Sequence, residues 1–155
     1  MNKVTELNTG EMRELYRELI LDHARRPRHF GRLEGATHRA DGINPLCGDR
    51  LTLYLEVDER EVIRAVAFEG TGCAISVASA SLMTDEVRGM DSRAAAARSR
   101  EIVAAIQGKC EAAGLRKLGA LLGVRDYPSR VKCATLAWHA LCSAIEKDDT
   151  PATTE

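Results

Sequence analysis

The residues of this sequence best suited to chemistry are its five cysteines, Cys47, Cys73, Cys110, Cys133 and Cys142, and one carboxylate, Asp49. Thiolates are nucleophiles and soft metal ligands. No two cysteines have the C-x-x-C spacing of a zinc ribbon, so spacing alone leaves their use open and local context must divide them. Cys47 stands in Asn44-Pro45-Leu46-Cys47-Gly48-Asp49, a turn leading into a strand. Where the chain is extended, residues two apart point to one side, so the thiolate and the Asp49 carboxylate would converge. Taken alone, Cys-Gly-Asp is also an ordinary turn with a surface carboxylate. Cys73 follows Gly70-Thr71-Gly72 and is expected at or just before the first turn of a helix, where unpaired N–H groups and the helix dipole favour a thiolate. Cys133, four residues after Ser129, is expected in the first turn of the last helix, and the same argument applies. Against it stands the ordinary use of free cysteine as a small core residue.

Cys142 is nine positions beyond Cys133, and nine steps of about 100° place it on the opposite side of a straight helix. Beside Trp138 and Ile145 it reads as packing. Cys110, in a loop after a helix, has no partner residue nearby. The candidate set is then Cys47, Asp49, Cys73 and Cys133, three sulfurs and one oxygen, a workable tetrahedral zinc set. Iron or an iron–sulfur cluster is the alternative for such soft ligands. Around a divalent zinc this set carries a formal excess of two negative charges, which helix N-termini, Arg130 and Lys132 are placed to offset. His23, His29, His38 and His139 read as satisfied or solvated side chains rather than ligands.

The elements that must position these residues follow from periodicity. Met12, Leu15, Tyr16, Leu19 and Ile20 form one stripe of a helix from Glu11 to about Arg26, ended by Pro27. Residues 27–50 read as a long connection with one short edge strand near Thr37–Asn44. Alternation over Leu51–Val57 and again over Val62–Phe68, joined by Asp58-Glu59-Arg60-Glu61, predicts a hairpin. Helices are expected over Ala74–Arg88, Ala94–Gln107 (capped by Asp91 or Ser92), a short stretch around Leu115–Leu122, and after Pro128 with Ser129 as N-cap. Asp148–Glu155 reads as a frayed polar tail. The fold class is α+β in one domain spanning residues 1–155, a small antiparallel sheet packed with several helices.

Composition narrows the function classes. The chain has 155 residues, 45% hydrophobic and 29% charged, and 22 basic against 23 acidic residues leave a net charge of −1. That balance removes the global attraction that non-specific nucleic-acid or acidic-membrane binding needs. The basic run Arg25-Arg26-Pro27-Arg28-His29 could still serve a local protein contact, or be a solvated loop. No apolar run is long enough to span a membrane, and no export signal is visible, so the expectation is a cytoplasmic protein with reduced thiols, no nucleic acid and no membrane partner.

At these residues the sequence resembles the U-type iron–sulfur cluster assembly proteins (NifU N-terminal and IscU-like), and within them the SufU branch. The matching stretches are Leu15–Gly31 (LYRELILDHARRPRHFG), Asn44–Asp49 (NPLCGD), Phe68–Thr84 (FEGTGCAISVASASLMT) and Arg130–Leu141 (RVKCATLAWHAL). The resemblance implies a three-stranded antiparallel sheet and a zinc site on Cys47, Asp49, Cys73 and Cys133. Lys132 stands where IscU-like scaffolds carry a histidine ligand, and the stretch from Met90 to Tyr127 is longer than theirs. The first weakens the scaffold reading, and an insertion at the second place is typical of the SufU branch. There the resemblance implies a zinc-dependent sulfurtransferase that takes persulfide sulfur from a SufS-type cysteine desulfurase and passes it towards the SufBCD complex. Cys47, on its glycine-flanked turn, is the expected persulfide acceptor, and Arg130 an outer group beside the metal. A histidine of the desulfurase would replace Cys47 on the zinc and free it to attack. Two other functions compete: an IscU-like scaffold on which a cluster is assembled, and a non-catalytic, zinc-stabilised binding module.

Overall fold

The computed structural model describes residues 9–147 and 150–154. In chain order they form helix α1 (Thr9–Arg25), strands β1 (His38–Asn44), β2 (Asp49–Val57) and β3 (Ile63–Thr71), helices α2 (Ala74–Val87) and α3 (Ser92–Ile106), a 3-10 helix (Arg116–Val124), helix α4 (Pro128–Ile145) and a two-residue strand β4 (Ala152–Thr153).

The sheet corrects the sequence expectation. It has four strands in the order β3-β2-β1-β4 and is mixed, because β4 runs parallel to β1, pairing Ala152 with Gly42 and Thr153 with Ile43. β4 comes from the stretch read as a polar tail, and β1, expected at an edge, is flanked on both sides. A two-residue pairing is too short to leave an alternating pattern, and its position is fixed by tertiary contact. Ala152 is buried there.

The hairpin forms, with β2 alternating as predicted; β3 starts one residue later than expected, where a register shift at Glu56/Val57 pairs Val57 with Ile63 and buries Ile63 rather than Val62. Inward residues Leu51, Leu53, Leu55 and Val57 of β2 are buried, and the register pairs Leu53 with Phe68 and Leu55 with Val66. Asp58 closes the turn, its Oδ1 accepting from the amides of Arg60 and Val62 at 2.8 and 3.0 Å. Near its end β3 presses so closely on β2 that a Cβ on Gly70, whose φ is +151°, would stand 2.1 Å from the Arg50 carbonyl oxygen. That contact admits no side chain, which is why the β-rich run ends in glycines.

Helix α2 is buried on more than one face, and its small residues let neighbouring helices approach. Ser79 Oγ donates to the Ala134 carbonyl of α4 at 2.5 Å and accepts from Trp138 Nε1 at 3.0 Å. Ser81 Oγ meets His23 Nδ1 of α1 at 2.7 Å and accepts from the Arg28 amide at 2.8 Å. Trp138, fully buried, is locked further by Ser99 Oγ donating to its carbonyl at 2.8 Å.

One helix start meets expectation and another departs from it. Asp91 caps α3, accepting from the Ala94 amide at 3.1 Å. Helix α4, however, begins at Pro128, with Tyr127 rather than Ser129 at the cap and no side-chain bond closing it. Proline is favoured at the first helical position because its missing N–H is one that the helix leaves unpaired. The stretch around Leu115–Leu122 is a 3-10 helix, entered through Arg116 at φ +49°.

Candidate metal centre

The turn between β1 and β2 places Cys47. Its fold comes from one carbonyl: Asn44 O accepts from the amides of Cys47 and Gly48 at 3.3 and 2.9 Å, and Gly48 adopts φ +72° to complete the reversal. The strand pairing then sets Asn44 opposite Asp49, the last pair of the β1–β2 ladder. Cys47 is exposed on the turn, whereas Asp49 beneath it is 1% exposed.

Cys73 is the N-cap of α2, as its context predicts. Its backbone is extended and its Sγ accepts from the Ser76 amide at 3.4 Å. Its own amide donates to Asp49 Oδ1 at 3.0 Å, so the β3–α2 corner is tied to the carboxylate. Gly72 makes this approach feasible: a Cβ there would lie 2.9 Å from Asp49 Oδ1 and 3.1 Å from Ser76 Oγ.

Cys133 is the sixth residue of α4, in the second turn rather than the first, because the helix starts at Pro128. It is buried and lies beyond the reach of unpaired amides, so the dipole argument made for it from sequence does not hold. Burial first, then the Asp49 carboxylate and the Cys73 and Cys47 sulfurs, push its thiol well above the ordinary cysteine range. A cation among these groups would reverse that preference.

The structure brings Cys47, Asp49 and Cys133 together, their ligand atoms all within 4.8 Å of one another. The Cys47 and Cys133 sulfurs are 3.6 Å apart. Two thiolates on a tetrahedral zinc, with bonds of about 2.3 Å, would be separated by about 3.8 Å, so the sulfur spacing fits such an ion. The donor chemistry agrees, being rich in sulfur with one hard oxygen. Cys73 sits at the edge of this group, linked through its amide to Asp49 and acting on Cys133.

Asn44 opens the Asn44–Asp49 turn, and nothing in the sequence motif marks it as part of the site. It is fully buried, and its Nδ2 lies 3.4 Å from Asp49 Oδ2 and 3.6 Å from Cys133 Sγ. Its Oδ1 is buried without a hydrogen-bond partner. The register opposite Asp49 is the signal that could have found it, once the turn was recognised.

Arg130 stands exposed one helical turn before Cys133, its guanidinium 5.7 Å from the centre of the Tyr127 ring. No hydrogen bond or ion pair joins it to the four candidate ligands among the described residues. Cys142 faces α3, with Sγ 3.8 Å from the Ala96 carbonyl, and Cys110 is exposed in the loop after α3. In the basic run, Arg28 is bonded to Asp22 at 2.6 Å and His29 to Thr84 at 2.9 Å, so part of its polar capacity is spent within the molecule. No helix among the described residues is long and apolar enough to cross a membrane.

Comparison with known proteins places the chain in a family. The model of the NifU-like N-terminal domain matches residues 15–148. The zinc-dependent sulfurtransferase SufU of Bacillus subtilis (strain 168) is 40% identical over 137 residues, covering 87% of this chain and 92% of that protein. The iron–sulfur cluster assembly scaffold protein IscU of Streptococcus pyogenes serotype M1 is 40% identical over 141 residues, covering 89% and 87%. Among solved structures, the SUF-system protein FiSufU of Fervidobacterium islandicum AW-1 superposes with a TM-score of 0.74 at 34% identity, over 83% of this chain and 94% of that one. The chain therefore belongs to the NifU-like N-terminal domain family, among the SufU and IscU type of iron–sulfur cluster assembly proteins.

Proposed function

We propose that this chain is a zinc-dependent sulfur-transfer protein, which accepts persulfide sulfur on Cys47 from a SufS-type cysteine desulfurase and passes it to a SufBCD-type cluster-building complex. The observation that carries this reading is the asymmetry of the cluster: Cys47 is exposed on a turn while its neighbours Cys133 and Asp49 are buried. Buried Asp49 and Cys133 anchor an ion from below; of the two exposed sulfurs, Cys73 is held as a helix N-cap, and Cys47 on its turn is the one a partner can reach. The name of the Bacillus subtilis relative supports the same chemistry.

Cys47, Asp49, Cys73 and Cys133 would hold zinc, which would keep the bound thiols deprotonated at neutral pH. The Cys47 thiolate attacks the terminal sulfur of the donor's persulfide. One S–S bond forms at Cys47 as the donor's S–S bond breaks, the donor cysteine leaves as a thiolate, and the proton stays on the transferred sulfur. No external oxidant or reductant is consumed. Asp49 holds the geometry from below, through the Cys73 amide. Arg130, on the same face of α4 as Cys133, offers its charge against the negative set from the rim.

Metal content and desulfurase kinetics test this reading together. A colourless protein with about one zinc per chain that raises the turnover of a SufS-type desulfurase is expected, and Cys47→Ser abolishes the stimulation. A brown protein carrying iron and sulfide would replace the proposal with the scaffold function. Bound zinc without stimulation would leave only a zinc-stabilised binding module.

A further inference from the structure

We propose that Asn44 is the positioning residue of the ligand set, its side-chain amide bridging the Asp49 carboxylate and the Cys133 sulfur. The inference rests on the reading that Cys47, Asp49, Cys73 and Cys133 hold a metal ion.

Three observations converge on this one side chain. First, both neighbours of Nδ2, a carboxylate oxygen and a sulfur, are acceptors when ionised, so the amide must turn its NH2 towards them. Second, the Asn44 backbone carbonyl folds the turn that presents Cys47, by accepting from the Cys47 and Gly48 amides. One residue thus touches three of the four ligand segments, and reaches the fourth through Asp49, which accepts from the Cys73 amide. Third, the Asn44 Oδ1 is buried without a partner. Burying an amide with one half unsatisfied is a cost that simple packing would avoid, since an apolar side chain fills the same space without it. The residue is held there for its donors.

The physical consequence concerns the negative charge of the set. An N–H bonded to a thiolate sulfur withdraws charge from it, and one bonded to a carboxylate fixes which oxygen faces the ion. Asn44 does both from the protein side, where water has no access. Its loss would leave two buried anionic ligands with fewer donors and a Cys133 sulfur free to turn.

The test uses the full chain with cobalt(II) as a spectroscopic stand-in for zinc, and zinc itself in competition with a chromophoric chelator. Asn44→Ala removes both donors; Asn44→Ser keeps a single, shorter one and serves if the alanine variant fails to fold. With helical circular dichroism retained, the expected results are zinc binding about 10–100-fold weaker in Asn44→Ala, a smaller loss in Asn44→Ser, and a displaced sulfur-to-cobalt charge-transfer band in each variant that folds. A purely structural asparagine would lower the melting temperature yet leave that band in place. Folded variants with unchanged affinity and spectrum overturn the inference alone. Failure of the unmodified chain to bind one cobalt overturns the metal reading, and this inference with it.

Discussion

The sulfurs of Cys47 and Cys133 lie 3.6 Å apart although the residues are separated by 86 positions, and one is exposed while the other is buried. This contact joins the β1–β2 turn to α4 and divides the thiols by reactivity. In the metal-free protein, iodoacetamide should modify Cys47, Cys73 and Cys110 rapidly and Cys133 only on unfolding. One equivalent of zinc should then protect Cys47 and Cys73 and leave Cys110 reactive. Peptide mass spectrometry reads each site, and rapid labelling of Cys47 in the zinc-loaded protein would contradict the ligand set.

Gly72 provides a second handle, because the space a side chain would need is occupied by Asp49 and Ser76. Gly72→Ala must push the Asp49 carboxylate or the Cys73 corner aside by a few tenths of an ångström. Zinc affinity should fall by about tenfold, measured by chelator competition, with global stability little changed. Wild-type affinity in this variant would show that the carboxylate is not held where the structure places it.

The β4 pairing reaches the site through β1, since Ile43 is bonded to the terminal strand and Asn44 follows it. Truncation after Lys147 should expose the β1 edge and cost about 1 kcal/mol, the net worth of a backbone hydrogen bond or two. Hydrogen exchange should accelerate at Gly42 and Ile43 more than in β3. Equal protection with and without the C-terminal strand would make β4 incidental.

His23 supplies a pH dependence away from the sulfurs. Burial, and next the Arg28 cation, hold its imidazole below the ordinary histidine value, with Lys117 adding to this and Asp85 and Asp22 opposing it. The folded protein keeps His23 neutral while the unfolded chain takes up a proton below about pH 6.5. Its contribution is therefore present above that pH and is lost as the pH falls towards the depressed native value. The slope should not exceed about 1.4 kcal/mol per pH unit. Denaturant unfolding between pH 7.5 and 5 should show His23→Gln flattening this dependence, and an unchanged slope would assign it elsewhere.

The sequence carried much of this arrangement because the signals were local. Alternation over Leu51–Val57 fixed which β2 residues face the core, and the two glycines before Cys73 marked a helix entry, which the structure realises as an N-cap thiol. What escaped depends on contacts distant in sequence. Two-residue β4 has no periodicity of its own. Tyr127 caps α4 only because Pro128 suits the first helical position, and this shift moved Cys133 from the open helix end to a buried second turn. Asn44 looked like a turn residue, and its link to Cys133 appears only when α4 is laid over the end of β1.

Sulfur on Cys47 can be read directly by incubating the zinc-loaded protein with a SufS-type cysteine desulfurase and cysteine, then mapping adducts by mass spectrometry without reductant. A gain of about 32 Da, one sulfur atom, is expected on the Cys47 peptide, abolished by Cys47→Ser and absent from Cys110 and Cys142. An unmodified Cys47 alongside an active desulfurase, or sulfur found on Cys110 instead, would contradict Cys47 as the acceptor.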